Sequence, residues 1–119
     1  MLLFGQNSKY SAYEEMFNTL RRKNISVAQM HLLLILASKA GEWSEMEQLR
    51  EYFQKKSRTN RPVAHSTISR AVANISTGKN RYGKDAHGFV DKKDGEDERF
   101  QLYRINKRGL DFVERTLNI

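Results

Sequence analysis

The chain has no cysteine and one proline in 119 residues. Without thiols there is no disulfide, no thiolate nucleophile and no cysteine-ligated zinc or iron–sulfur site. The same absence suits a reducing cytoplasm. The opening Met1-Leu2-Leu3-Phe4-Gly5 lacks basic residues and is far too short an apolar run for a signal peptide or a membrane span. A cytoplasmic protein that avoids membranes is therefore expected. Acidic residues are missing from one long stretch, with none between Tyr52 and Lys84.

What is present describes a packed domain. Six Phe, five Tyr, one Trp and 39% hydrophobic residues are more than a disordered chain carries. The length admits a single domain, spanning 1–119. Lys and Arg number 21 against 14 Asp and Glu, for a net charge of +7. Eight of these cations, Lys55, Lys56, Arg58, Arg61, Arg70, Lys79, Arg81 and Lys84, lie in the acid-free stretch; elsewhere 13 basic residues face 14 acidic ones. The entire excess is thus local. An acid-free basic segment attracts a polyanion, and nucleic acid is the commonest one for a small cytoplasmic protein.

Periodicity predicts a mainly helical chain. Tyr10, Tyr13, Phe17 and Leu20 form the stripe of an amphipathic helix over 8–23, with Ser8 or Ser11 as its cap. Ser26 opens a second helix over 27–38 that is apolar on nearly all sides, places His31 in the core or an interface, and ends at Gly41. A third is predicted over 44–54, with Trp43, Met46, Leu49 or Arg50, and Phe53 at helical spacing. The segment 65–75 places Ile68, Val72 and Ile75 on one face and Ser66, Ser69, Arg70, Ala73 and Asn74 on the other. A Gly-, Asn- and Lys-rich loop is expected over 76–87. Strands at 88–90 and 100–105 would flank a charged tip, 92–98, turning at Gly95. Asn106 would cap a last helix carrying Leu110, Val113 and Leu117.

This order, in which a polar-faced helix follows a turn and precedes a hairpin, predicts a mainly α fold with a small β-hairpin wing, a winged helix-turn-helix. The residues themselves resemble the MarR family of transcriptional regulators. The resemblance rests on Ser66-Thr67-Ile68-Ser69-Arg70, Gly88-Phe89-Val90, Asp97-Glu98-Arg99 and Asn106-Lys107-Arg108-Gly109, in that order. Asn106 stands where the family has Thr, which preserves capping chemistry.

The resemblance implies a recognition helix at about 65–75 in the major groove and a wing at 88–105 on the backbone or minor groove, within a DNA-binding core of 44–105. It implies that Arg99 reaches the minor groove or phosphates while Asp97 orients its guanidinium. Dimerisation through the end helices, in 1–25 and 106–119, would use Tyr10, Tyr13, Phe17, Leu20, Leu110, Val113 and Leu117. The chain departs from the family in longer segments before Ser66 and before Gly88. These carry Lys55, Lys56, Arg58 and Arg61, and Lys79, Arg81 and Lys84, and they are expected to be phosphate clamps that order on DNA. His65, Ser66, Thr67, Ser69, Arg70, Asn74, Lys92 and Lys93 complete the expected DNA-binding set.

Other chemistry finds no support in the sequence. Gly78 to Asp85 nearly spells a phosphate loop, but Asp85 replaces the magnesium-binding hydroxyl and no strand precedes it. His31, His65 and His87 lack metal-ligand spacing. Asp94, Glu96 and Asp97 read as a solvated turn with nothing apolar to raise a pKa. Asn24-Ile25-Ser26 and Asn74-Ile75-Ser76 match a glycosylation pattern that only a secreted chain would use. No cofactor, metal or enzymatic activity is expected, and no effector is identified. The expectation is a homodimeric, sequence-specific regulator that binds double-stranded DNA. The alternative is a winged helix serving as an architectural or protein-interaction module in replication or mobile-element machinery, with little sequence preference.

Overall fold

Ser26 fixes the start of the central helix. Its hydroxyl accepts a hydrogen bond from the Gln29 N–H at 3.1 Å, and the Gln29 side chain accepts one from the Ser26 N–H at 2.9 Å. Two amide groups that a helix start leaves open are thereby satisfied. The computed structural model describes residues 8–57, 63–80, 82–96 and 100–119. Among them are five helices, α1 (Ser8–Arg22), α2 (Val27–Ser38), α3 (Met46–Ser57), α4 (His65–Ile75) and α5 (Lys107–Leu117). Three short strands, β1 (Ser44–Glu45), β2 (Val90–Asp94) and β3 (Gln101–Ile105), form one antiparallel sheet with β3 in the middle. No helix among the described residues is long and apolar enough to cross a membrane.

The core gathers around α2, which touches α3, α4, α5 and β3. Its Leu32, Leu33, Ile35 and Leu36 are buried against Leu49 of α3, Ile68, Val72 and Ile75 of α4, and Val90 and Ile105 of the sheet. His31 is half-buried, its ring 4.8 Å from that of Phe53. Leu49 rather than Arg50 is the inward residue of α3; Arg50 pairs with Glu47 and donates to the Val63 carbonyl at 3.3 Å. The Gln54 side chain accepts from the Val63 N–H. Two side chains of α3 thus hold the residue that leads into α4.

Two boundaries and one cap differ from the sequence pattern. Helix α3 begins at Met46, because Ser44 and Glu45 pair with Tyr103 and Leu102 of β3. Its first turn is closed by the Gln48 side chain accepting from the Glu45 N–H at 2.9 Å, and it runs on to Ser57. The first strand of the hairpin begins at Val90, so Gly88 and Phe89 precede it while Lys92, Lys93 and Asp94 lie within it. Helix α2 spans the expected 27–38, but Lys39 is its cap, and Gly41 follows in the turn at φ +90°. Each difference reflects a pairing with a distant strand or a cap that local periodicity does not encode.

The last helix is set by Asn106. Its Oδ1 accepts from the Gly109 N–H at 2.9 Å, and its Nδ2 donates to the Gly88 carbonyl at 2.8 Å and to Asp91 Oδ1 at 3.1 Å. Gly109 is required by a close approach: a Cβ there would stand 2.4 Å from the Phe89 carbonyl oxygen. At Gly95 likewise a Cβ would meet the Phe100 carbonyl at 2.8 Å, and the Gly95 N–H donates to that same oxygen.

Loss of the cap in Asn106→Ala should lower unfolding free energy by about 1–2 kcal/mol. Gly109→Ala should cost about 1–3 kcal/mol by overpacking against the Phe89 backbone. Urea titrations followed by circular dichroism measure both, and an unchanged midpoint in Gly109→Ala would contradict the steric account.

Candidate nucleic-acid interface

Helix α4 presents a narrow polar ridge. Burial of Ile68, Ala71, Val72 and Ile75 turns His65, Ser66, Thr67 and Arg70 outward, with Ser69, Ala73 and Asn74 half-buried at its margins. The helix starts at Ala64, whose side chain makes no capping hydrogen bond. Short hydroxyl side chains beside one arginine bring backbone and guanidinium donors close to whatever lies on this ridge.

The segment after α4 is a second, smaller hairpin instead of an unstructured loop. The Ala86 N–H donates to the Gly78 carbonyl at 2.9 Å, and the Asn80 N–H donates to the Lys84 carbonyl at 2.8 Å. Inside the turn, Asn80 Oδ1 accepts from the N–H groups of Tyr82 and Lys84 at 2.9 and 3.2 Å. At its base the His87 N–H donates to the Asn74 carbonyl at 2.9 Å, and Asn80 Nδ2 donates to Asn74 Oδ1 at 3.4 Å. The expected ordering on DNA is therefore corrected for the described part of this segment, which is closed by its own bonds. Asn74 stands about 40° round the helix from Arg70, so the hairpin abuts the end of the same ridge. Lys79 meets Asp85 at 2.8 Å on the surface, and Lys84, also exposed, is the other described cation of this hairpin.

Cross-strand register separates Lys92 from Lys93. Lys92 pairs with Tyr103 and shares a face with Val90 and Ile105, the core side of the sheet. Its Nζ lies 3.9 Å from the position a Gly78 Cβ would occupy, so it borders the smaller hairpin. Lys93 is on the opposite face with Arg104, each 4.3 Å from the centre of the Trp43 ring. Lys92 thus borders the smaller hairpin that follows α4, whereas Lys93 is engaged with Trp43 on the other face. Arg58, Arg61, Arg81, Asp97 and Arg99 lie outside the described residues.

The residues expected at a dimer contact divide in two. Leu20 and Val113 are buried in this chain's own core, and Leu110 and Leu117 pack half-buried against it. Tyr10, Tyr13 and Phe17 keep about half or more of their surface exposed on α1, whose main packing partner is α5.

A second concentration of cations is hidden from charge counting along the chain. Arg22, Lys23, Lys107, Arg108 and Arg115 line a cleft of about 900 Å³ between α1 and α5, with Phe89 and Phe112 stacked in its wall at 4.6 Å. These cations come from segments that are balanced overall by acids, and only folding brings them together. The signal in sequence is the pair of basic runs at 21–23 and 107–108. No group of three potential metal ligands occurs among the described residues. Comparison with protein-family models, curated proteins and solved structures finds no match to this chain.

His87 borders this cleft, stacked on Phe89 at 5.5 Å. Burial holds its imidazole below the ordinary value, opposed by a hydrogen bond with the Asn24 backbone and reinforced by Arg108 and Lys23. A histidine kept neutral in the fold binds its proton more readily when unfolded, so stability is complete above about pH 6.5 and falls as pH drops through that value. The melting temperature of His87→Phe, which keeps an aromatic ring on Phe89, should accordingly fall less between about pH 7.5 and 5.5 than that of the wild type. Equal slopes in thermal melts would contradict this assignment.

Proposed function

We propose that the chain is a winged helix-turn-helix protein, similar to the MarR regulators, that reads double-stranded DNA to control transcription. The observation that carries this reading is the exposed polar ridge of α4, followed by a hairpin that carries exposed Lys84 and is bordered by Lys92. A major groove about 12 Å wide admits one helix, and short polar side chains let that helix approach base edges closely. Ser66, Thr67, Ser69 and Arg70 would read bases, with Arg70 suited to the paired acceptors of guanine. Lys84 and Lys92 would meet phosphates, the β2–β3 hairpin serving as the wing. The local basic excess supports a polyanionic partner.

The protein acts in this reading as a homodimer. Tyr10, Tyr13 and Phe17 form an exposed aromatic stripe on α1, and a two-fold axis through such a stripe would pair it with itself. Two recognition helices would then meet half-sites one turn of DNA apart.

Selection from a random duplex pool at about 150 mM salt should enrich an inverted repeat. No enrichment, with binding that vanishes as salt rises, would instead favour an architectural or partner-dependent module. On the selected site, Arg70→Ala should cost about 1–3 kcal/mol and relax preference at one base position, while Lys84→Ala and Lys92→Ala should weaken all sequences alike and each reduce the salt slope by about one. In sedimentation at micromolar concentration the wild type should run as a dimer and Phe17→Glu as a monomer with unchanged helix content. A monomeric wild type would overturn the dimer.

A further inference from the structure

The cleft between α1 and α5 gathers cations without carboxylates to match them. Asp111 is the one acid among its described lining residues, against Arg22, Lys23, Lys107, Arg108 and Arg115. Arg22 lies 3.9 Å from Glu15 and donates to Thr19 Oγ1 at 3.2 Å. Lys23, Lys107, Arg108 and Arg115 form no ion pair with a described residue. On α5 the positions of Arg108, Phe112 and Arg115 follow helical spacing and share one face. The two arginines are separated by about 10 Å along the helix axis. Phe112 stands between them, half-buried, with its ring packed on Phe89 at 4.6 Å.

We infer that this cleft binds a nucleotide carrying two or three phosphates. A cleft lined by one sign of charge, with apolar walls, focuses its field on a counter-ion. A single carboxylate is matched by one guanidinium. Cations drawn from the end of α1, the start of α5 and its last turn exceed what such a monoanion uses, and they match a chain of phosphates. The wall of Phe89 and Phe112 offers phosphate nothing, whereas an apolar aromatic wall suits a base. Charge at several points and a ring in one cleft of about 900 Å³ are together the features a nucleotide satisfies. No step of this argument uses α4, so the inference goes beyond the duplex-binding reading and stands apart from it.

Isothermal titration of the full-length protein at about 150 mM salt, without magnesium, compares ATP, GTP, inorganic tripolyphosphate and benzoate. ATP and GTP should bind one to one with Kd below about 100 μM. Tripolyphosphate, which lacks a base, should bind about 5- to 100-fold more weakly, and benzoate should give no binding at about 1 mM. Arg108→Ala combined with Arg115→Ala should weaken ATP at least about tenfold. Phe112→Leu, which keeps apolar bulk, should retain its helix content and bind ATP no better than it binds tripolyphosphate. A wild type that takes up no ATP at about 1 mM would overturn the inference. Tripolyphosphate or benzoate binding as tightly as ATP would overturn the choice of a nucleotide. Undiminished ATP binding in the double arginine variant would overturn the assignment to this cleft.

Discussion

The backbone of Phe89 is the splice on which the arrangement depends. Its N–H donates to the carbonyl of Ile75 at the end of α4, and its carbonyl accepts from the Asn106 N–H at the start of α5. Asn106 reaches back to the neighbouring Gly88 carbonyl, and Gly109 leaves room for the Phe89 oxygen. One extended residue therefore ties together the polar-faced helix, the base of the β2–β3 hairpin and the closing helix. Buried backbone polar groups must find partners, and here the two partners lie on different helices, at the end of α4 and the start of α5. The orientation of α4 relative to the sheet follows from that requirement, together with the apolar seam of Ile68, Val72 and Ile75.

Much of this was legible in the residues, for identifiable reasons. Helices α2, α4 and α5 announce themselves through Ser26 with Gln29, through the inward spacing of Ile68, Val72 and Ile75, and through Asn106. These are local devices, acting within one or two turns. Strand β1 was not legible, since two residues opposite Tyr103 and Leu102 leave no periodicity of their own. Neither was the Gly78–Ala86 hairpin. It is closed by one asparagine amide that satisfies two backbone N–H groups and by backbone bonds between Asn80 and Lys84 and between Gly78 and Ala86, which leave no periodicity in the sequence. The face of each β2 lysine depended on where β2 begins, because a one-residue shift in a strand exchanges its two faces.

Charge illustrates the same distinction between chain and space. Counting along the sequence isolates the segment from Tyr52 to Lys84 and marks the remainder as balanced. Folding modifies both statements. Lys79 is paired within its hairpin, whereas five cations from balanced segments converge beside α1 and α5. A proposal of nucleic-acid binding therefore gains most from the outward polar ridge of α4 with Arg70 and from the exposed Lys84 of the hairpin bonded to its end, and less from the total of +7.

The sheet has a further consequence, for the order in which the domain assembles. Among the described residues, β1 and β2 both hydrogen-bond to β3 and to no other strand. A chain emerging from the ribosome can form α2, α3 and α4 early, since their contacts are close in sequence. It cannot close the sheet until Ile105 is free of the exit tunnel. Until then Ser44, almost wholly buried in the finished fold, must wait without its backbone partner. The central strand is thus the keystone laid last, and docking of the closing helix follows directly behind it.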